Sequence, residues 1–435
     1  MRTNQKSTQI ASLLIIMVSS VALAQRNAKP ILLDHYTAGI QTLARNKTVV
    51  DANKIIDAME SATVAELIEL TEIPAPPFKE SARAQRVKQL FESAGADNVW
   101  MDSVGNVLAL RKGKNATQTV VLDAHLDTVF PEGTDVNVKH RGDTLFAPGI
   151  SDDTRSLTVI LAVLRALEKA KIETIDDLLF MASVGEEGLG DLRGVKYFLK
   201  KNTLKIKSWI SVDGTSIADI CTGALGSVRY KATVKGPGGH SWGAFGLGNP
   251  HHAMAKAINY FSEEALHYTS SVGKTSFNVG RVGGGTSVNA IPFESWVEVD
   301  MRSESPDHLK KIDSIFKSSM NKGLADYNRK VEKGPKLTMT LLPIGFRPSG
   351  KTPATDPLVQ RAKAAALQLN VTPELITEST NANIAIANGI SAITIGAGGK
   401  SDHAHALSEW WLNDRGADGI KFALLITLGE TGMAK

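Results

Sequence analysis

Five acidic and imidazole side chains follow short apolar runs in an order that would suit a two-metal hydrolytic site. They are His125 in VVLDAHLD, Asp152 in APGISDD, Glu187 in MASVGEE, Asp213 in WISVDG and His405 in DHAHALSE. Such a site needs imidazoles, terminal carboxylates, a carboxylate shared between the ions and a separate base. Residues two apart on a strand point the same way, so His125 and Asp127 face one place, and Asp127 could orient the imidazole from behind. In the pair Glu186-Glu187, adjacent side chains on an extended segment diverge. One can bind metal while the other meets the attacking water as general base. Each piece has a plainer reading. Asp152 and Asp153 precede an apolar helix that either could cap, Asp213-Gly214 is a common turn pair, and spacing alone does not choose His405 over His403. His240 lies in GPGGHSWGAFG, where three glycines allow close backbone approach.

The elements that must carry these residues follow from periodicity. From Val64 to Leu225 strand-like and helix-like runs alternate. Helices are predicted at Val64–Leu70, Lys79–Ala94 and Thr154–Ala170. Strands are predicted at Val107–Arg111, Thr119–Asp123, Leu178–Ser183 and Trp209–Val212. This is an α/β pattern, in which function collects beyond the carboxyl ends of the strands. The pattern changes near Gly226. Strands at Ser227–Lys235, Ser276–Val282, Ser295–Met301 and Lys336–Leu342, with helices at Pro250–Glu264 and Pro306–Met320, predict a small α+β unit. α/β character then resumes, with helices at Asp356–Leu369 and Gly416–Thr431 and a strand at Ile393–Gly396. The expected architecture is a mixed-sheet α/β/α catalytic domain, residues 25–225 and 344–435, with an inserted α+β two-layer lid over 226–343.

At 435 residues and 43% hydrophobic content, the chain can bury a core large enough for more than one domain. Its first 24 residues read as a secretory signal: Arg2 and Lys6, an apolar run from Ile10 to Leu23, and Ala22-Leu23-Ala24 before Gln25. A secreted or periplasmic location is expected; the alternative is an uncleaved membrane anchor, for which the run is short. No later run is long and apolar enough to span a bilayer. Net charge is +4, and removing the signal leaves about +2. With no dense Lys/Arg run, nucleic acid is not an expected partner. Cys221 is the only cysteine, so it forms no internal disulfide.

The joint order of motifs resembles a family of di-zinc hydrolases that includes aminoacylase, acetylornithine deacetylase, succinyl-diaminopimelate desuccinylase, glutamate carboxypeptidase and peptidase T. The likeness runs from about Val64 to the end. Single motifs are short, but their combination is specific. The resemblance implies that His125 and Asp213 hold one metal, that Glu187 and His405 hold the other, and that Asp152 bridges them. It implies Asp127 as support and Glu186 as base. It selects His405 over His403, because Glu409 follows four residues later. It implies two zinc ions per subunit, with cobalt or manganese as substitutes. His240 looks like a lid histidine that reaches a neighbouring subunit's site, which implies a homodimer built through the lid. Asn289 in TSVNAIP and Arg302 in VDMRS resemble lid residues that hold a substrate carboxylate. Two departures bear on the substrate pocket: Thr154-Arg155 replaces a common Lys-Gly after the Asp pair, and Asn381 stands where a carboxylate is usual. The implied activity is hydrolysis of short peptides. A deacylase of N-acyl amino acids is the alternative within the class, and a non-catalytic peptide-binding protein is the alternative outside it.

Overall fold

The structure, a computed structural model, describes residues 32–434. The expected signal segment lies outside the described residues. A mixed nine-stranded sheet forms the larger domain, in the order Asn98–Met101, Val107–Arg111, Asp177–Ser183, Thr119–His125, Ile206–Val212, Ser391–Ile395, Asp219–Ala224 and Gly350–Lys351. The ninth strand, Glu374–Glu378, also pairs with Asp219–Ala224. Thr119–His125 is buried along its whole length and runs parallel to both neighbours.

Side-chain alternation divides the core into two layers. Val107, Ala109, Val120, Leu122, Leu178 and Phe180 face helices Lys47–Thr71, Ser81–Ala94, Arg155–Lys169 and Gly416–Thr431. Leu108, Val121, Leu179, Met181 and Trp209 face helices Arg193–Lys201 and Ala382–Ala387. The result is an α/β/α sandwich. Helix Arg155–Lys169 is buried on almost every side, in keeping with its apolar sequence.

A second sheet is antiparallel, in the order Thr275–Gly284, Glu294–Ser303, Gly226–Lys235 and Thr338–Arg347. Strand Glu294–Ser303 alternates buried and half-buried residues. Val297, Val299 and Met301 meet Phe261 and Phe316 from helices Pro250–Thr269 and Pro306–Asn328 in a separate apolar core. Both helices start on a capping side chain, Asn249 and Ser305, followed by proline. This two-layer unit is the lid.

The structure departs from the sequence expectation in several places. Helix Lys47–Thr71 begins well before Val64, and helix Asp34–Arg45 precedes it. The last lid strand continues past Leu342 to Arg347. A third sheet, unforeseen, joins distant segments: Lys139–Arg141, Thr144–Phe146, Trp410–Leu412 and Lys400–Asp402. It draws the loop carrying Asp152 and the loop carrying His405 to one edge of the molecule.

Candidate metal centre

Three adjacent parallel strands end at one rim. His125 is the last residue of its strand, Glu186 and Glu187 lie just beyond Ser183, and Asp213 follows Val212. The backbone N–H of Asp213 donates to Ile395 O at 2.9 Å, which fixes the strand exit. This rim is where open α/β sheets place their ligands.

His125 is buried, and its Nδ1 lies 2.9 Å from the backbone carbonyl of Asp127. With the proton on Nδ1, Nε2 is left as a lone-pair donor. The Asp127 carboxylate does something the sequence did not suggest. Its two oxygens accept the backbone N–H groups of Glu186 at 2.9 Å and Glu187 at 2.8 Å. Asp127 therefore orients the glutamate pair directly, and the ring mainly through its carbonyl.

Asp152 stands between two imidazoles. Its Oδ1 is 3.2 Å from His125 Nε2 and its Oδ2 is 3.0 Å from His405 Nε2. His405 Nε2 is also 2.9 Å from Glu187 Oε1. The groups that could hold an ion are Asp152, Glu187 and His405; His125, Asp153 and Asp213; and His125, Glu186 and Glu187. The structure thus brings together His125, Asp152, Glu186, Glu187, Asp213 and His405. His403 is turned away, with Ser408 as its hydrogen-bond partner at 3.0 Å.

Glu409 explains how the loops are held. Its buried carboxylate accepts the N–H groups of Gly149 at 2.8 Å, Ser151 at 2.8 Å and Asp152 at 3.0 Å, together with the Ser151 hydroxyl at 2.7 Å. Gly149 has φ +77°, and a Cβ there would fall 2.5 Å from Thr128 Cγ2, so only glycine fits this turn. The peptide bond between Asp152 and Asp153 is cis.

Charge in this cluster is unbalanced. Burial, then Asp153 and Asp152, pushes the Asp213 carboxyl well above its ordinary pKa. Burial raises Glu187 to about 7. Hydrogen bonds to Asp152 and Glu187 raise His405 to about 10. Burial alone would raise Asp152, yet His125 and His405 hold it well below the usual carboxylate range. The Oδ1 of Asp153 is buried without a hydrogen-bond partner. Carboxylates here outnumber the guanidiniums of Arg83 and Arg347, and buried anions require counter-charge. The imidazole and carboxylate donors, the orphaned oxygen and the surplus of anions fit divalent cations.

Two further residues join the cluster, Asp153, which the sequence offers only as a helix cap, and Arg347. Asp153 accepts the His125 N–H through Oδ2 at 2.8 Å and joins the group containing Asp213; its place beside Asp152 was the only clue. Arg347, the last residue of the lid sheet, donates through Nη1 to Glu186 Oε1 at 2.8 Å and through Nη2 to the Glu186 carbonyl. No periodicity signals that contact.

The two departures noted in the sequence are both internal. Asn381 Nδ2 donates to Asp123 Oδ2 at 2.6 Å and to Ser183 Oγ at 2.8 Å. A carboxylate in its place would face the buried Asp123. Thr154 Oγ1 donates to Gly149 O at 2.6 Å, while Arg155 donates to Gly416 O at 2.8 Å and lies over Trp411. They brace the loop from behind.

The lid residues lie apart from the cluster. His240 is exposed on a short strand paired with Ala290–Ile291, and its Nδ1 accepts the N–H groups of Trp242 and Gly243, each at 3.2 Å. Asn289 is adjacent, its carbonyl accepting the Ser241 N–H at 2.9 Å. Arg302 is engaged by Asp300 at 2.7 Å.

The chain is similar to several known proteins. The protein from Bacillus subtilis strain 168 described as uncharacterized protein YqjE is 24% identical over 363 residues, covering 79% of this chain and 92% of that protein. The cytosol non-specific dipeptidase of Escherichia coli strain K12 is 28% identical over 296 residues, 58% of this chain and 56% of that protein. The fold is shared with aminopeptidase PepT of Bacillus cereus, at TM-score 0.66, 19% identity and coverage of 85% and 98%. It is also shared with the dipeptidase Dug1p of Saccharomyces cerevisiae, at TM-score 0.69, 15% identity and coverage of 89% and 99%. The sequence profile described as peptidase family M20/M25/M40 matches residues 121–427, more than half of the chain and all of the clustered residues. The chain belongs to that peptidase family.

Proposed function

We propose that the protein is an exported peptidase of short peptides that works with two divalent ions, zinc foremost. The observation that carries this reading is the position of Asp152, one carboxylate with an imidazole at each oxygen. His125 and Asp213 would hold one ion, Glu187 and His405 the other, with Asp152 shared. Bound there, the ions would supply Lewis acidity, lowering the pKa of water and polarising the scissile carbonyl.

The chain's own groups do the rest. Glu186 takes a proton from the attacking water at a carboxylate oxygen and later delivers it to the leaving amine. Asp127 aims it by fixing the backbone of the pair. Arg347 pairs with the Glu186 carboxylate and fixes its position in a buried place. His240, reaching the site from a partner's lid in a homodimer, donates to the developing oxyanion; such a donor is worth roughly 100- to 1000-fold in rate. Asn289 and Arg302 hold the substrate's carboxylate, for which Arg302 exchanges Asp300. A lid over the rim restricts entry to short chains. The apolar run behind Arg2 and Lys6 supports export.

The test is metal content with turnover. Protein purified with zinc should carry close to two equivalents by elemental analysis and hydrolyse members of a di- and tripeptide panel. Chelation should abolish turnover and zinc restore it. A folded protein without metal affinity would overturn the assignment.

A further inference from the structure

A cleft of about 390 Å³ lies beside the candidate metal loops and plays no part in the chemistry above. Two of its walls are those loops. Ala147 and Pro148 lead directly into Gly149, and Leu407 and Ser408 come just after His405. Arg141 and Phe146, from the hairpin of the third sheet, form another wall, and Asp135, Asn137 and Lys139 line much of the rest. The volume lies in the range of small-molecule sites.

The lining has a definite chemical character. The Arg141 guanidinium lies over the Phe146 ring, 4.8 Å from its centroid. It has no carboxylate at ion-pair distance among the described residues, whereas the other charges of the cleft satisfy each other. Lys139 Nζ is 2.8 Å from Asp135, which also accepts Asn137 Nδ2 at 2.7 Å. One positive charge is thus left over, above an aromatic face. Leu407 is 74% exposed and gives an apolar wall. The lid contributes nothing to the lining.

We propose that this cleft is a subsite for a carboxylate on a short apolar stem, the side chain of a glutamate residue in the peptide being cleaved. The proposal rests on the peptidase reading of the adjacent centre. Its geometry is favourable, because Leu407 is only two residues from His405 and one or two residues of extended peptide span about 3.5 to 7 Å. A free dicarboxylate carries the same chemistry and could occupy the cleft as an effector, so the test separates the two sources.

In the first arm, kcat/KM is measured for the dipeptides Glu-Ala and Ala-Glu against Gln-Ala and Ala-Gln. The wild type should prefer the glutamate member of at least one pair. Arg141→Ala should reduce that preference about tenfold, the scale of one lost charge-assisted contact. Arg141→Glu should transfer preference to the matching lysine peptide. In the second arm, glutarate binding to metal-free protein is followed by calorimetry, wild type against Arg141→Ala. Binding lost in the variant, with glutarate competing against glutamate peptides, supports a substrate subsite. Glutarate binding without competition and without a peptide preference would replace the subsite with an effector site. Equal glutamate-to-glutamine ratios in wild type and variant, with no Arg141-dependent glutarate binding, overturn the proposal. Turnover of glutamine peptides reports separately on the peptidase reading: failure of every peptide would sink that reading and the substrate subsite with it, and glutarate binding kept intact would then mark an effector site.

Discussion

Arg347 and Glu186 form an ion pair at 2.8 Å in which each side chain is only 5% exposed. The two residues belong to different units. Arg347 ends the last lid strand, and Glu186 follows a strand of the central sheet. The candidate base is therefore held from the junction with the lid, and Arg347 is itself steadied by Ser379 Oγ at 3.2 Å.

Removing one partner of a buried pair leaves an unpaired charge, typically at a cost of about 3–5 kcal/mol. Arg347→Ala should lower the melting temperature. It should also lower kcat, because the Glu186 carboxylate loses the donor that fixes its position. Arg347→Lys should recover part of both effects. An unchanged kcat in a folded Arg347→Ala protein would show that Arg347 does not position the base.

The choice between two neighbouring histidines is open to direct test. His405 contacts Asp152 and Glu187, while His403 contacts Ser408 and sits 4.0 Å from Asp402. His405→Ala should lose at least one equivalent of zinc, and His403→Ala should keep both. Metal loss in His403→Ala alone would reverse the assignment.

Metal binding should be linked to pH, with a sign fixed by the same contacts. His405, raised to about 10 by Asp152 and Glu187, is protonated at neutral pH in the metal-free protein. Glu187, raised to about 7 by burial, is partly protonated. Both must give up protons to become ligands. Zinc binding at pH 7 should release at least one proton, with Glu187, Asp213 and His125 adding to the count, and apparent affinity should climb from pH 6 toward pH 9. Without metal the sign is opposite. A histidine whose pKa is raised on folding contributes its stability in full below about 6.5, and that contribution fades as pH passes through about 10. Calorimetric titrations in buffers of different protonation enthalpy count the protons. A count of zero would remove His405 from the ligand set.

How much of this was legible before the structure depends on what periodicity can register. His125, Glu187 and Asp213 were visible because each ends or follows a strand long enough to alternate or to run apolar, and neighbouring parallel strands bring their ends together. Helix Lys47–Thr71 carried a signal that went unread: Val49, Ala52, Ile56, Met59, Thr63, Leu67 and Leu70 form one buried stripe at helical spacing. The third sheet carried none. Its strands are three residues long, and Glu409 reaches Ser151 across 258 residues of chain. Arg347 was hidden by a register shift between Pro343 and Gly345, which breaks the two-residue alternation just where the predicted strand stopped.

His240 gives the final prediction. In the structure it lies on an exposed two-residue strand and hydrogen-bonds to the backbone of Trp242 and Gly243, with Trp242 87% and Phe245 82% exposed beside it. Two large apolar side chains left in water next to a lone histidine suit an interface better than a free surface. A homodimer joined through the lid would cover them and carry His240 toward the partner's centre. Glu186→Gln should keep its metal yet lose at least about 100-fold in kcat, since an amide cannot take the water's proton. His240→Ala should lose a similar factor by removing the oxyanion donor. Mixing the two inactive proteins under conditions of subunit exchange should restore activity, because one hybrid site then has both Glu186 and His240 intact. Complementation is the decisive readout, as two merely damaged folds would not rescue each other. A verified heterodimer with no activity above its parents would argue against action between subunits. A fully active monomer would exclude it, leaving His240 to reach its own centre by lid closure or to serve only the local turn.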